Sequence, residues 1–378
     1  MPDTKKGGRE MIEYVDLITK VKEDIYANPD EYILIRLKYI FDNLLKYIEN
    51  GIKFSNDLGS FSVPYKGIGS KKGIGAAIYK NAQTSLEIVK SYLSGDFNVC
   101  NKKMDEWWRH QFQNKRHGLP ATSITSNEFF YRIRHFDDTQ RKIKRCDLFH
   151  VPFEKRGKIS TNRYSVLGYP CLYLGRSIYT CWEESHRPNL NSFFVSAFRL
   201  SLDIPQIYLL DFRLERKTFV SEYAFRKYLC NMPMIIACSL RVNSYSNQFK
   251  PEYILPQLLL HKLIVPSGKI TNWEGVIYSS TQVEDDFGIT NGNCELADNI
   301  VIPIQKNAEN GWCEELCRKF EITEPTNYEY ELIKNPPQNA TISGTIFKIT
   351  SNLSPFDLME ERLKQSNLFR KIDYQTGK

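Results

Sequence analysis

Hydrophobic positions recur at three- and four-residue steps from Glu10 to about Leu93. Ile12, Val15, Leu17, Ile18 and Val21 form one stripe, and Tyr32, Ile33, Ile35, Leu37, Ile40, Leu44, Leu45 and Ile48 form a second. That period predicts two amphipathic helices, and Asn28-Pro29-Asp30 breaks the chain between them. A loop with Pro64 and four glycines follows, then helices over 76–93 and 104–112. The pattern up to residue 122 predicts an all-α N-terminal domain.

The segment 115–123 is polar and punctuated by Gly118 and Pro120, which marks a linker. Beyond it the period changes. Runs rich in Val, Ile, Phe and Tyr at 129–135, 147–153, 171–175, 193–200, 206–210, 275–278 and 299–304 predict strands. Helices are predicted between them at 177–186, 218–229 and 252–264. Such a mixture places the chain in the α+β class, with a mixed-sheet domain over 123–305. The signals weaken after Pro303: a helix over 309–320, a loop at Asn335-Pro336-Pro337, a strand over 344–350 and a helix over 355–369 opened by Ser354. Residues 306–378 read as a C-terminal extension.

The length of 378 residues agrees with two domains. A net charge of +7 is compatible with an anionic ligand and falls short of a nucleic-acid-binding signature. The nine cysteines are odd in number and scattered, with no leader ahead of them, and no apolar run approaches a membrane span. The expectation is a soluble cytoplasmic protein with no membrane association. Cys313 and Cys317 lack a second pair, and the six histidines form no ligand pair, so no metal site is expected. Gly67 to Gly75 fails both the dinucleotide and P-loop patterns and reads as a connecting loop. The basic run Arg141-Lys142-Ile143-Lys144-Arg145 reads as a solvated loop, without the aromatic interleaving of a single-strand binder.

One stretch carries candidate chemistry. Arg163, Tyr173 and Glu184 stand ten and eleven residues apart. Gly168 and Pro170 turn the chain after Arg163, the run 171–174 predicts a strand holding Tyr173, and Ser177 is a good N-cap for a helix that ends near Glu183 and Glu184. A strand followed at once by a helix doubles back, so Tyr173 and Glu184 can face one cleft. An arginine can fork onto phosphate, a tyrosine can offer a ring face or a hydroxyl, and a carboxylate can sit beside a ribose turning cationic. Together the three groups suit NAD.

With its flanks the stretch resembles the RES domain, a family named for arginine, glutamate and serine whose members are similar in fold to ADP-ribosyltransferase toxins. Residues 163–184 match the family pattern in order and spacing. Phe130-Tyr131-Arg132-Ile133 resembles its opening strand, and Phe149-His150-Val151-Pro152-Phe153 resembles a motif of one branch. Ile254-Leu255-Pro256-Gln257-Leu258-Leu259 resembles its Pro-Gln helix, and Gly275-Val276-Ile277-Tyr278-Ser279-Ser280 its Gly-x-x-Tyr-Pro-Ser. The resemblance covers about residues 128–305. Ser279 stands where the family has proline, so the family serine is Ser280 or Ser279. Glu183 competes with Glu184, and the interval to the serine implies insertions within 186–250.

The resemblance implies cleavage of the bond between nicotinamide and ribose, with NAD as substrate, no separate cofactor, and water or phosphate as acceptor. Glu184, Tyr173 and Arg163 would be catalytic. Arg132, Ser280 and Tyr131 would bind substrate, although Tyr131 and Tyr164 also fit as packing aromatics. Many members are toxins silenced by a helix-turn-helix antitoxin of the Xre type, so such a partner is an expectation here. The helical domain is free to supply autoinhibition, sensing or a homo-oligomer contact. Two other readings stay open: transfer of ADP-ribose to a macromolecule, and a non-catalytic interaction or nucleic-acid-binding protein.

Overall fold

The computed structural model describes residues 11–56, 59–63, 73–113, 118–136, 142–214, 219, 221–244, 246–265, 272–283, 294–328, 341–343, 346–348, 354–366 and 368–377. The glycines at 67 and 69, the linker residues 115–117, Arg141, and the loop at Asn335-Pro336-Pro337 lie outside them. The chain forms two compact units. The first takes residues 1–121, 211–262 and 266–270, and the second takes 122–210, 263–265 and 271–378. The units therefore do not follow the sequential division at 122 and 305. Asp211–Lys262 belongs with the N-terminal helices, overlapping the region where an insertion was inferred, and the C-terminal segment shares the unit of the sheet.

The first unit contains helices α1 (Tyr14–Tyr26), α2 (Ile33–Tyr47), α3 (Ile74–Leu93) and α4 (Phe97–Gln113). Leu17, Ile18 and Val21 of α1 and Leu37, Ile40 and Leu44 of α2 are buried as the period requires, whereas Val15, Tyr32 and Ile35 of the predicted stripes are exposed. Asn28 takes a left-handed φ of 49° in the break between them. The all-α expectation is corrected by a three-stranded sheet, β1 (Ile12–Glu13), β2 (Ile52–Asn56) and β3 (Gly59–Val63). Phe54 of β2 packs with Tyr14, Phe219 and Phe225 at ring separations of 5.1–5.9 Å. Strands this short carry too few alternations to stand out beside two strong helical stripes.

The later segment of this unit supplies α6 (Glu222–Cys238) and α7 (Ile254–Ile264). Ser221 caps α6 by accepting from the amide of Ala224 at 3.2 Å. The helix then runs nine residues past the sequence expectation, straight through Pro233. Leu229 to Cys238 are all buried, so apolar packing around the whole circumference outweighs the donor that proline removes.

The second unit is built on an eight-stranded sheet. Its strands are β4 (Ala121–Thr125), β5 (Phe130–His135), β6 (Cys171–Gly175), β7 (Phe193–Leu200), β8 (Gln206–Asp211), β9 (Trp273–Ser279), β10 (Asp298–Pro303) and β11 (Phe320–Ile322). They lie in the order β11-β7-β5-β6-β10-β9-β8-β4. The chain is thus α+β, as its pattern predicts. One face buries Phe130, Leu172, Leu174, Phe198, Ile277 and Ile300 in the larger core. The other packs Tyr131, Ile133, Val195 and Ala197 under α5 (Ile178–Glu184), together with Met359 and Leu363 of a helix near the C-terminus, Pro355–Lys364. Ser354 opens that helix with a capping box closed by Asp357.

The predicted strand over 147–153 is instead a pair of 3₁₀ turns, Arg145–Leu148 and Phe153–Lys158, around an irregular bend. The apolar residues Leu148, Phe149 and Phe153 fill the core, while Pro152 removes a ladder donor. His150 sits fully buried at the centre of this bend. Its Nε2 accepts from the amide of Cys313 at 2.9 Å, so Nδ1 carries the proton and donates to the carbonyl of Val151 at 2.8 Å. Burial drives its pKa down to about 4. Histidine at this position is structural.

Candidate active site

The loop that carries Arg163 is closed by a turn in which Tyr169 N–H donates to the Val166 carbonyl at 2.9 Å. Gly168 takes φ 71°, a conformation that only glycine adopts at no cost. β6 follows, and the Tyr173 hydroxyl donates back to the carbonyl of Tyr164 at 2.7 Å. Tyr173 thereby ties its strand to the loop beside Arg163. At the end of the strand, a Cβ on Gly175 would lie 2.6 Å from the Cys181 sulfur. The missing side chain lets α5 settle directly onto β6.

α5 is short and held by several ties. Ser177 caps it by accepting from the amide of Thr180 at 3.0 Å, and the Thr180 hydroxyl donates to the Leu296 carbonyl at 2.7 Å. The amide of Ile178 donates to Glu360 Oε1 at 2.6 Å. The helix turns its two terminal glutamates in different directions. Glu183 is buried and pairs with Arg187 at 2.8 Å. Glu184 is half-buried, and its Oε1 accepts from Ser280 Oγ and from Asn299 Nδ2, both at 2.7 Å.

From Ser280 the contacts return to the start of the stretch. Thr281 Oγ1 accepts from Arg163 Nη2 at 2.9 Å, and the ring of Tyr164 lies 4.5 Å from that of Tyr278. Arg163, Tyr173, Glu184 and Ser280 are therefore joined in one circuit through Asn299, Thr281, Tyr164 and Tyr278. Of the pairs left open by the sequence, Glu184 and Ser280 are the members in contact with each other. The hydroxyl of Ser279 is buried with no hydrogen-bond partner among the described residues.

The other two residues assigned to substrate stand apart. Arg132 donates to the carbonyl of Tyr173 at 3.2 Å, supporting β6 from beneath, and burial followed by the nearby Arg134 lowers its pKa to about 9. The Tyr131 side chain is 0% exposed in the core under α5. A substrate-binding role for Tyr131 is corrected to a packing one, because nothing outside the protein can reach the ring. The sequence reading missed Asn299, which fell in a run read only as a strand. The available signal was an Asp-Asn pair opening β10, whose six positions are all buried, since buried polar groups require partners.

Arg145 of the basic run pairs with Glu324 at 2.8 Å. Among the described residues no group of histidines, cysteines and carboxylates could hold a metal ion. No helix among them is long and apolar enough to cross a membrane.

Glu360 and His150 give the sheet unit opposed pH responses. Burial raises the Glu360 carboxyl to about 7, against the Ile178 amide and Lys364, 3.6 Å away, which both pull it down. The folded state then favours the neutral acid, so this group's contribution is present below about pH 4.5 and lost as pH rises to 7. His150, held neutral, contributes above about pH 6.5 and loses its contribution as pH falls to 4. Each difference corresponds to about 3 kcal/mol. Glu360→Gln keeps an acceptor for Ile178 and abolishes one of the two slopes. Its unfolding free energy relative to wild type should improve by about 3 kcal/mol between pH 4.5 and 7. Urea titrations at the two pH values check this, and a difference independent of pH would remove the assignment.

Comparison with known proteins adds one relative. The chain is 34% identical over 235 residues to a protein of Bacillus subtilis (strain 168) named "Putative toxin YopC". The match takes in 58% of this chain and 51% of that protein, so the chain spans about half the length of the curated relative it matches. No family model matches the chain, and no solved structure matches it.

Proposed function

We propose that the chain is a toxin that consumes NAD by breaking the bond between nicotinamide and ribose. The toxin part is supported by the name of the Bacillus subtilis relative. The chemistry is supported by one observation above the rest: a half-buried carboxylate, Glu184, is gripped on a single oxygen by Ser280 and Asn299, and the buried Arg163 bonds Thr281, the residue after Ser280. Nicotinamide is a cationic leaving group, so cleavage needs no general acid and a single carboxylate suffices. The C1′–N bond breaks, its electron pair neutralises the pyridinium nitrogen, and an oxygen of water or phosphate bonds to C1′ and releases its proton. Glu184 stabilises the positive charge that builds on the ribose.

The test is purified protein incubated with NAD, with and without phosphate, followed by chromatography. Nicotinamide should appear together with ADP-ribose or its phosphorylated form. NAD that persists beside folded protein rejects the reading, and label found on a macromolecule converts it into transfer. Arg163 is assigned to the pyrophosphate. Its replacement by alanine removes a charged hydrogen-bond donor worth roughly 1.5–3 kcal/mol, so KM for NAD should rise about ten- to hundredfold. Initial rates across NAD concentrations measure it, and an unchanged KM removes the assignment. An antitoxin of the Xre type is the partner that this reading brings with it, and its co-expression should relieve growth arrest.

A further inference from the structure

The two oxygens of Glu184 have different surroundings. Ser280 and Asn299 both donate to Oε1, whereas Oε2 receives no hydrogen bond among the described residues. Neither donor is free to turn away. Ser280 Oγ already accepts from the amides of Gln282 at 3.1 Å and Val283 at 3.3 Å, which directs its proton at the carboxylate. The Asn299 side chain is 6% exposed in β10, between Gly175 on one neighbouring strand and Tyr278 on the other. Asn299 thus stands on a strand paired on both sides, while Ser280 lies just past the end of β9. The Asn299 side chain makes one hydrogen bond within the described residues, the one to Glu184.

We infer that Asn299 is a positioning residue that locks the rotation of the Glu184 carboxylate and presents Oε2 to the reacting ribose. The inference rests on the reading of Glu184 given above. A carboxylate on a side chain with three rotatable bonds cannot hold one orientation by itself, and a site loose by an ångström loses much of its effect. Ser280 alone leaves the group free to swing about a single hydrogen bond. A second donor on the same oxygen removes that freedom and keeps the other oxygen clear.

Asn299→Ala should lower kcat about 30-fold with KM for NAD within a factor of two, as expected of a group acting on the transition state. In a Glu184→Gln background the same substitution should change kcat less than twofold, because Asn299 acts only through that carboxylate. Should the alanine variant fail to fold, Asn299→Leu keeps roughly the volume, removes the donor without adding a charge beside Glu184, and should show the same loss. Equal effects in both backgrounds, or full activity in either folded variant, overturn the inference. A crystal structure of the folded Asn299 variant separates this result from the fate of the NAD reading. Even if the wild-type protein leaves NAD intact, the Glu184 carboxylate should be rotated from its wild-type orientation, and a carboxylate found unmoved overturns the assignment.

Discussion

Glu184→Gln should lower NAD turnover about a thousandfold, the scale seen when one electrostatic group aimed at a transition state is removed. Binding of NAD should stay within a few-fold of wild type. The replacement is isosteric, and its amide oxygen can still accept from Ser280 and Asn299, so the circuit of contacts survives. What disappears is the negative charge. In bound NAD the positive charge lies on the pyridinium ring, and it moves to the ribose only as the bond breaks. The loss therefore falls on kcat rather than on affinity. Glu183→Gln is the control. That residue pairs with a largely exposed arginine and lies away from Ser280, so its removal should leave kcat unaltered. Measured turnover and binding isotherms for both variants decide the matter, and a Glu184→Gln protein at wild-type rate would end the proposal.

The distinction between adjacent glutamates marks where the sequence stops being informative. Spacing placed an arginine, a tyrosine and a pair of carboxylates at a strand-turn-helix corner, and that corner is present. β6 and β7 span the residues expected of them, and Ser177 caps α5. Which glutamate faces the site depends on the rotation of a helix of seven residues about its axis. That rotation is set by tertiary ties, Gly175 beneath Cys181 and Glu360 against Ile178, that no local pattern contains.

The other departures have a similar origin. α6 passes through Pro233 because its surroundings are apolar on every side, an environment invisible to a rule about isolated helices. The bend at His150 reads as a strand from its apolar run, although Phe149 N–H donates to the Cys146 carbonyl within a 3₁₀ turn, Phe153 N–H to the Gly311 carbonyl, and the Val151 carbonyl accepts from His150. Asn299 was overlooked for the opposite reason: it is one polar residue in a buried strand, and its meaning comes from a partner 115 positions away. The departure of 211–262 into the other unit likewise reflects packing over long separations.

Gly275→Ala carries the largest expected effect on stability, about 3 kcal/mol, the upper range for overpacking a close-packed interior. Gly275 lies in β9, and a Cβ there would stand 2.2 Å from the carbonyl oxygen of Val301 in the paired strand β10. The obstacle is backbone in a central strand and has no rotamer by which to retreat. Relief requires β9 to move away from β10, at the expense of the ladder that pairs Val276 with Val301 and Tyr278 with Asn299. For a unit of this size the melting temperature should fall by roughly 10 °C. The same movement reaches the site, because β9 delivers Ser280 and β10 delivers Asn299 to one oxygen of Glu184. Activity should consequently fall further than the folded fraction does, at a temperature well below the melt. Calorimetry and turnover on the same preparation test both parts. A variant with wild-type melting would mean that β9 and β10 lie farther apart than this geometry requires, and a variant that melts early but retains full specific activity would separate the ladder from the site.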